Sequence, residues 1–234
     1  VDKYRRKGFE RLLNNKGDEI DLQKSLRELS EYLEKYHKEK PIILIDEYDV
    51  PIHEGYLRGY YDEIVNFMRG FLGGALKDNP SFCKGVITGN LRIAKEGIFS
   101  GLNNLTVYTL LRPEYNEYFG FLEEEVREIL DYIGAKEKLE EIREWYDGYI
   151  FGGKKVYNPW CILSYAGSED LTPRPYWKNT SSNELIKELI IDGGIGLKES
   201  MELLLKDIGI ERVIDENIVL KELKYNDDAV WSLL

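Results

Sequence analysis

A short apolar run that ends in two adjacent carboxyl groups is the feature that most constrains this chain. Residues 41–49 read PIILIDEYD. Four aliphatic residues in a row predict a strand buried on both faces, as in a parallel sheet. Pro41 suits the first position of such a strand, because a missing N–H there costs no ladder hydrogen bond. Asp46 and Glu47 then fall at the carboxyl end of the strand, where α/β sheets bind their ligands.

The patterns on either side of this run predict an α/β fold. Apolar residues recur at helical spacing over residues 20–37 and 60–76, and strand-like runs follow at 82–88 and 105–110. The order strand, helix, strand implies a right-handed βαβ unit and a parallel sheet. We therefore expect the strands ending at Ile45 and near Thr88 to be adjacent and parallel, with both carboxyl ends at one edge.

The second half of the chain has a different pattern, which is mainly helical. Residues 122–133 and 135–146 are periodic, a Gly-rich hairpin follows over 147–159, and apolar helices are expected around 185–191 and 201–208. We place a domain boundary near residue 115, with an α/β core over 1–115 and a helical lid region over 116–234. Tyr149 and Tyr157 are expected to pack inward from the hairpin.

Composition narrows the class of protein. The chain has 234 residues, a net charge of −11 and two cysteines. The negative charge argues against nucleic acid binding across the whole surface, and Lys3, Arg5, Arg6 and Lys7 are interpreted as a solvated helix face. No apolar run approaches the roughly 20 residues of a membrane span, and the charged N-terminus does not resemble a signal peptide. We expect a cytoplasmic protein that does not contact the membrane.

The strand ended by two acids is typical of the Walker B motif of P-loop ATPases. In that motif the first acid, here Asp46, holds the Mg²⁺ of Mg-ATP, and the second, here Glu47, polarises the attacking water. A buried strand whose exit loop happens to be acidic is the alternative interpretation of this segment. His37 and His53 have no Cys or His partner at metal spacing, so no structural metal is expected.

Polar residues after the second strand are further candidates for the same site. Thr88 takes the place of a sensor residue, whose side chain contacts the attacking water or the γ-phosphate, and Asn90 is a close alternative. Arg92 and Lys95 follow within a turn and can approach phosphate, where a cation stabilises developing charge. An exposed helix start is the alternative interpretation of Arg92 and Lys95.

Five motifs in order resemble the bacterial AAA-ATPase-like family over roughly residues 20–190. They read PIILIDEYDVPI, GVITGNLRIAKEGIFSGLNNL, GFLEEEV, WYDGYIFGGKKVYNPWCIL and PYWKNTS. The resemblance implies an AAA+-like ATPase that uses ATP and Mg²⁺ in the intact protein. Members of this family commonly carry a PD-(D/E)XK nuclease-like domain at the C-terminal end, so nucleic acid would be contacted only through a domain outside this chain. ATP and self-association are the expected partners.

The sequence departs from the family at the phosphate-binding loop. The family opens with a Gly-rich turn ending in Gly-Lys-Ser or Gly-Lys-Thr, and the 40 residues before Pro41 contain none. That loop supplies the N–H groups and the Lys that hold the β- and γ-phosphates. We therefore expect an internal fragment of a partial P-loop NTPase core, without Walker A, which alone binds ATP weakly or not at all.

Two segments imitate functional motifs. Residues 148–154 satisfy GxxxxGK, but they follow a predicted helix and Lys155 replaces the required Ser or Thr, so a Gly-rich hairpin is favoured. Glu222 and Lys224, with Asp215 upstream, imitate a PD-(D/E)XK metal site. The short spacing between Asp215 and Glu222 leaves little room for the hairpin that usually separates such residues.

The resulting hypothesis is an ATP-binding and ATP-hydrolysing module with Asp46 on Mg²⁺, Glu47 as base and Thr88 as sensor. A non-catalytic regulatory or interaction module that keeps the fold is the first alternative. A metal-dependent nuclease of the PD-(D/E)XK type is the second.

Overall fold

The computed structural model describes residues 3–90, 97–99, 102–146, 148–179, 184–215, 220, 223 and 226–233. They fall into two compact units, residues 1–105 with 184–234, and residues 106–183. The strands are β1 (Ile42–Ile45), β2 (Lys84–Ile87), β3 (Tyr149–Phe151) and β4 (Lys154–Val156). The α-helices are α1 (Lys3–Leu13), α2 (Glu19–His37), α3 (Val50–Arg58), α4 (Tyr61–Leu76), α5 (Glu123–Tyr132), α6 (Leu139–Tyr146), α7 (Pro159–Ala166), α8 (Glu184–Asp192), α9 (Ile195–Leu204) and α10 (Asp227–Leu233). None of the helices in these ranges is both long enough and apolar enough to cross a membrane.

Strands β1 and β2 form a parallel pair in the first unit. Ile42 pairs with Lys84, and the register continues to Ile45 opposite Ile87. The Pro41 carbonyl accepts a hydrogen bond of 3.0 Å from the Cys83 N–H, which extends the ladder by one step at the strand entry. The predicted parallel arrangement, with both carboxyl ends at one edge, is therefore confirmed.

Only one face of this sheet is buried in the described part of the chain. Ile43 is 6% exposed and belongs to the hydrophobic core of the first unit, whereas Ile42 and Leu44 are 59% and 73% exposed. Alternate residues of a strand point to opposite faces, and the core lies on the Ile43 face alone. The prediction of burial on both faces is wrong for these residues. The two-strand sheet is consistent with an α/β class, but it is not a complete P-loop NTPase core.

Local chemistry explains where α2 begins and where α3 ends. Asp18 and Asp21 form a reciprocal capping box at the start of α2, with the Asp21 N–H 2.9 Å from Asp18 Oδ1. The sequence pattern does not predict helix α3, because an acidic loop is expected at this place. It has a proline in its first turn and ends at Gly59 with φ of 81°. Arg6 and Lys7 of α1 are exposed, as a solvated helix face predicts, whereas Arg5 is half-buried and ion-paired to Glu31.

The C-terminal segment belongs to the first unit, which differs from the expected division into 1–115 and 116–234. Residues 106–183 are compact by themselves, whereas 184–234 group with 1–105. The physical reason is apolar packing, because buried side chains of this segment join the core that contains Ile43. They are Leu189, Leu197, Leu220, Leu223, Ala229 and Val230.

The second unit is built around its own apolar core. Val126, Leu130, Ile142 and Tyr165 are buried there together with Tyr157, which is fully buried. The predicted helices over 122–133 and 135–146 are observed as α5 and α6, the latter preceded by a short 3₁₀ helix at Lys136–Lys138. A second 3₁₀ helix lies at Tyr176–Asn179.

The predicted hairpin is observed as the antiparallel pair β3–β4. Phe151 pairs with Lys154, and the two intervening glycines have φ of 50° and 82°, which is the left-handed backbone that a two-residue hairpin turn needs. Tyr157 packs inward as predicted, but Tyr149 is 58% exposed, so the prediction for Tyr149 is wrong. The residues of a short strand alternate between faces, and Tyr149 lies on the solvent side with its ring stacked on Phe151.

One predicted strand is not observed, and one predicted helix has different bounds. Residues 105–110 form no strand, and Leu105, Tyr108 and Leu110 are exposed. Their β-branched and aromatic composition suits a strand, but strand propensity depends on a neighbouring strand to pair with. The Leu110 carbonyl instead accepts a hydrogen bond of 2.7 Å from the Gly152 N–H. The last predicted helix, 201–208, starts earlier and ends at Leu204 as α9.

We expect Tyr157→Ala to cost about 3–5 kcal/mol of unfolding free energy, since truncating a buried aromatic leaves a cavity. Tyr149→Ala is the matched control and should cost less than about 1 kcal/mol, because it loses only an exposed ring contact. Urea unfolding of the full chain, followed by tryptophan fluorescence, measures both. Equal losses for the two variants would contradict the assignment of one inward and one outward tyrosine.

Glu123 links three elements of the second unit and predicts a pH dependence. Its carboxylate accepts hydrogen bonds from Arg143 and Arg127, the shortest at 2.5 Å and 2.6 Å, and from the Tyr157 hydroxyl at 3.4 Å. The Arg143 guanidinium, followed by that of Arg127, lowers the pKa of Glu123 from 4.5 to about 2. A carboxyl group whose pKa is lower in the folded state stabilises the fold above its unfolded pKa.

The stabilisation by Glu123 should therefore be complete above pH 4.5 and disappear as the pH falls toward about 2. Glu123→Gln should destabilise the second unit near neutral pH, and its difference from the wild type should shrink through this window. Urea midpoints of both proteins across the pH range measure this. A difference that stays constant between neutral pH and the acid limit would show that the charge of Glu123 contributes nothing.

Candidate functional site

The parallel pairing of β1 and β2 brings Asp46 and Thr88 together. Each residue directly follows its strand, and the last residues of the strands are register partners. The Thr88 N–H donates to the Ile45 carbonyl at 2.9 Å, and the Tyr48 N–H donates to the Thr88 carbonyl at 3.1 Å. The ladder thus continues beyond the strands and fixes the two polar residues side by side at the carboxyl edge.

Asp46 is held by two donors on the same carboxyl oxygen. The Thr88 hydroxyl and the Glu47 N–H both donate to Oδ1, the latter at 3.0 Å. The Asp46 side chain is exposed at the edge of the sheet. Because both bonds go to Oδ1, the carboxyl group is oriented while Oδ2 receives neither of them. Thr88, predicted to contact water or phosphate, here contacts Asp46.

Glu47 has a backbone conformation that is unusual for its residue type. Its φ is 52°, in the left-handed region, and its side chain is exposed. A left-handed L-residue brings Cβ close to the following carbonyl oxygen and costs roughly 1–2 kcal/mol. The conformation starts the turn from β1 into α3, and the Glu47 carbonyl accepts a hydrogen bond of 3.1 Å from the Val50 N–H.

A third acid of this turn is buried. Asp49 is fully buried, and its Oδ2 accepts a hydrogen bond of 3.0 Å from the Asn90 N–H. His53 Nε2 lies 3.6 Å from the same oxygen. Burial lowers the pKa of His53, although the Asp49 carboxyl group opposes the shift. The imidazole is therefore neutral at neutral pH.

Sequence reasoning did not single out Asp49 or its contact with His53. Two signals were available. An acid in the first turn of a helix lies beside the residue four positions later, and PIILIDEYDVPI places Asp49 between apolar residues where an exposed acid is not expected. Of the predicted site residues, Asp46, Glu47, Thr88 and Asn90 lie together at this edge, and Arg92 and Lys95 lie outside the described residues.

The described residues contain no group of three or more Asp, Glu, His or Cys side chains placed to hold a metal ion. Within that part of the chain, the exposed Asp46 carboxyl group does not belong to an all-protein metal cage. A bound Mg²⁺ commonly has one or two carboxylates and completes its shell with phosphate oxygens and water. The donor chemistry of Asp46 and Thr88 fits that mode.

The structure describes the first imitation motif in full and the second only in part. Lys154 lies in the hairpin and is ion-paired to Glu117 at 2.8 Å, so GxxxxGK does not form a strand-to-helix phosphate loop. In the alternative nuclease site, the Asp215 N–H donates to the Ser232 hydroxyl at 2.9 Å. Glu222 and Lys224 lie outside the described residues.

Comparisons with known proteins support the family resemblance. The AAA-ATPase-like family, described as predicted AAA-ATPase, matches residues 2–99. An uncharacterised protein in the vnfD 5′ region of Azotobacter chroococcum mcd 1 is 31% identical over 162 residues, which are 66% of this chain and 30% of that protein. The chain thus spans less than a third of the relative's length. No solved structure matches the chain significantly.

The resemblance to the predicted AAA-ATPase family is therefore confirmed over residues 2–99, the segment that contains β1, β2 and all the candidate site residues. The relative is itself uncharacterised, so its name assigns no activity.

We expect Glu47→Gly to be more stable than Glu47→Ala by about 1 kcal/mol, because glycine adopts positive φ without the Cβ clash. The same pair of substitutions at Glu63 is the matched control. Glu63 lies exposed in α4, where glycine should be less stable than alanine by roughly 0.5–1 kcal/mol. Urea unfolding of the four variants measures the differences. The same order at both positions would mean that Glu47 is not strained.

Proposed function

We propose that this segment forms the acidic half of an ATP-hydrolysing site of the AAA-ATPase-like kind. The observation that carries the proposal is the hydrogen bond between Thr88 and Asp46 at the carboxyl edge of two parallel strands. Ligands of open α/β sheets bind outside the carboxyl ends of the strands. The family match over residues 2–99 supports the same class of activity.

Asp46 is the residue proposed to hold Mg²⁺, directly or through a water. Mg²⁺ prefers hard oxygen ligands and few protein carboxylates, which suits one exposed carboxyl group whose Oδ1 is already hydrogen-bonded. When bound with nucleotide, the ion neutralises charge on the phosphate oxygens. The contribution of the chain is to orient Asp46 through the Thr88 hydroxyl and the Glu47 N–H.

Glu47 is the residue proposed to orient the attacking water and to accept its proton. The carboxyl group is exposed, next in sequence to the ion-binding acid, and its backbone is held by hydrogen bonds on both sides of the turn. A base at this point lowers the barrier more than it strengthens ground-state binding. Asn90, Arg92 and Lys95 are proposed to face the phosphates, where polar and cationic groups stabilise developing charge.

The second candidate is a non-catalytic regulatory or interaction module, and the two proposals differ in whether a Gly-rich phosphate-binding turn completes the site. Residues 1–40 contain no Gly-rich turn ending in Gly-Lys-Ser or Gly-Lys-Thr, and phosphate binding needs the N–H groups and the Lys of such a turn. Under the ATPase proposal a longer polypeptide supplies the turn. Under the alternative, no polypeptide that contains this segment hydrolyses ATP.

In a longer polypeptide that joins a P-loop to this segment, we expect Glu47→Gln to abolish turnover while nucleotide stays bound. Loss of the base affects the transition state far more than the ground state. Phosphate release measures turnover, and calorimetry measures binding. Lys154→Ala is the control and should leave both unchanged, because Lys154 lies in the hairpin of the second unit.

The 234-residue chain should bind ATP weakly or not at all. Micromolar binding by this chain would show that the phosphate site is misplaced. Unchanged hydrolysis in Glu47→Gln, or loss of hydrolysis in Lys154→Ala with the fold retained, would contradict the assignment. Absence of hydrolysis from every longer polypeptide would favour the interaction module.

A further inference from the structure

Asp49 does not play the role that its position predicts. It precedes α3 at the N-cap, where an Asp side chain usually accepts a hydrogen bond from the first turn of its own helix. In this protein the side chain makes no such capping bond. Its Oδ2 instead accepts from the Asn90 N–H, 41 residues away in sequence and directly beyond the end of β2. The carboxyl group therefore joins the start of α3 to the loop that follows β2.

The backbone of the loop after β2 closely approaches the Asp49 carboxyl group. A Cβ atom added to Gly89 would lie 2.7 Å from Asp49 Oδ1 and 2.6 Å from the Tyr48 ring. Such distances are shorter than van der Waals contact, so only glycine lets the backbone approach the buried acid this closely. The Gly89 backbone and the Asn90 N–H therefore both lie against the Asp49 carboxyl group.

Burying a carboxyl group costs free energy, which hydrogen bonds to that group offset. Asp49 is fully buried, and a hydrogen bond to a charged or buried carboxyl group contributes more than one at the surface. His53 Nε2 lies at 3.6 Å, beyond ordinary hydrogen-bond length, and burial lowers the pKa of that imidazole. The Asn90 N–H is thus the closer of these two groups to Oδ2.

We propose that Asp49 is a positioning residue that fixes the Gly89–Asn90 loop beside Asp46 and Thr88. Asp49 contacts no reacting atom in this role. It holds the Asn90 backbone, while Thr88 is held separately by its hydrogen bonds with the Ile45 carbonyl and the Tyr48 N–H. The effect on hydrolysis rests on the function proposed above, whereas the effect on the loop does not.

Amide hydrogen exchange of the full chain tests the loop directly. In Asp49→Leu, which has similar size but no acceptor, Asn90 N–H exchange should accelerate about tenfold or more, while the Thr88 amide, bonded to the Ile45 carbonyl, stays protected. Asp49→Asn keeps an acceptor oxygen, so the Asn90 N–H should retain most of its protection in that variant. His53→Gln is the matched control and should leave the exchange of Asn90 within about twofold.

Gly89→Ala perturbs the same contact from the other side. It should accelerate Asn90 exchange even if Asp49→Leu does not fold, since the added methyl group displaces the loop from the carboxyl group. Unchanged Asn90 exchange in Gly89→Ala and in any folded Asp49→Leu would overturn the proposal. Equal acceleration of the whole β2 segment would overturn it too, because that result indicates general destabilisation.

Turnover in a longer polypeptide with a P-loop separates this proposal from the function on which it rests. Asp49→Leu should lower kcat about tenfold or more with a smaller change in KM, and Asp49→Asn should recover most of the loss. A wild type without hydrolysis refutes the ATPase function, and the exchange experiment then still decides the positioning role. Hydrolysis that is unaffected by a loosened loop would overturn the catalytic part of the proposal.

Discussion

The parallel pairing of β1 and β2 is the constraint on which the candidate site depends. Asp46 and Thr88 meet only because Ile45 and Ile87 are register partners and the ladder continues one step past both strands. A slip of one residue would move every side chain of a strand to the other face. It would also separate the hydroxyl donor from the carboxyl oxygen. The same pairing places Asn90 next to Asp49. The exposed contact of Asp46 with Thr88 and the buried contact of Asp49 with Asn90 therefore both depend on this pairing.

The pairing of β1 with β2 could largely be predicted from local sequence. Which faces of the strands are buried could not. Pro41, four aliphatic residues and the acids that follow define β1, and the helical spacing of α4 between two strand-like runs implies a parallel crossover. Whether Ile42 and Leu44 are covered depends on which other elements lie against the sheet, and a pattern of apolar residues holds no information about that. The prediction of a strand at 105–110 is wrong for the same reason, because its composition suits a strand but none of the strands in the described residues pairs with it.

Residues of the candidate site that are neighbours in sequence could be predicted, whereas its contacts between distant residues could not. Asp46 and Glu47 stand out as adjacent acids after a strand. The contact of Asp49 with Asn90 spans 41 residues and becomes visible only when β1 and β2 are placed side by side. The division into units was likewise set by long-range packing, since Leu197 and Val230 join a core formed mainly by earlier residues.

Departures from local rules at Glu47 and Asp49 accord with the ligand-binding role that we propose for this turn. Lys38 also has a left-handed backbone, but it ends α2, which is the ordinary place for such a residue. Glu47 is left-handed ahead of a helix, and Asp49 is buried without capping that helix. Glycine at the first position and an exposed cap at the second would avoid the free-energy cost of these departures. Sequences tend to break local rules at functional sites and to compensate elsewhere. The compensation is visible in this protein, because the Thr88 hydroxyl, the Glu47 N–H and the Asn90 N–H all bind carboxyl oxygens of this turn.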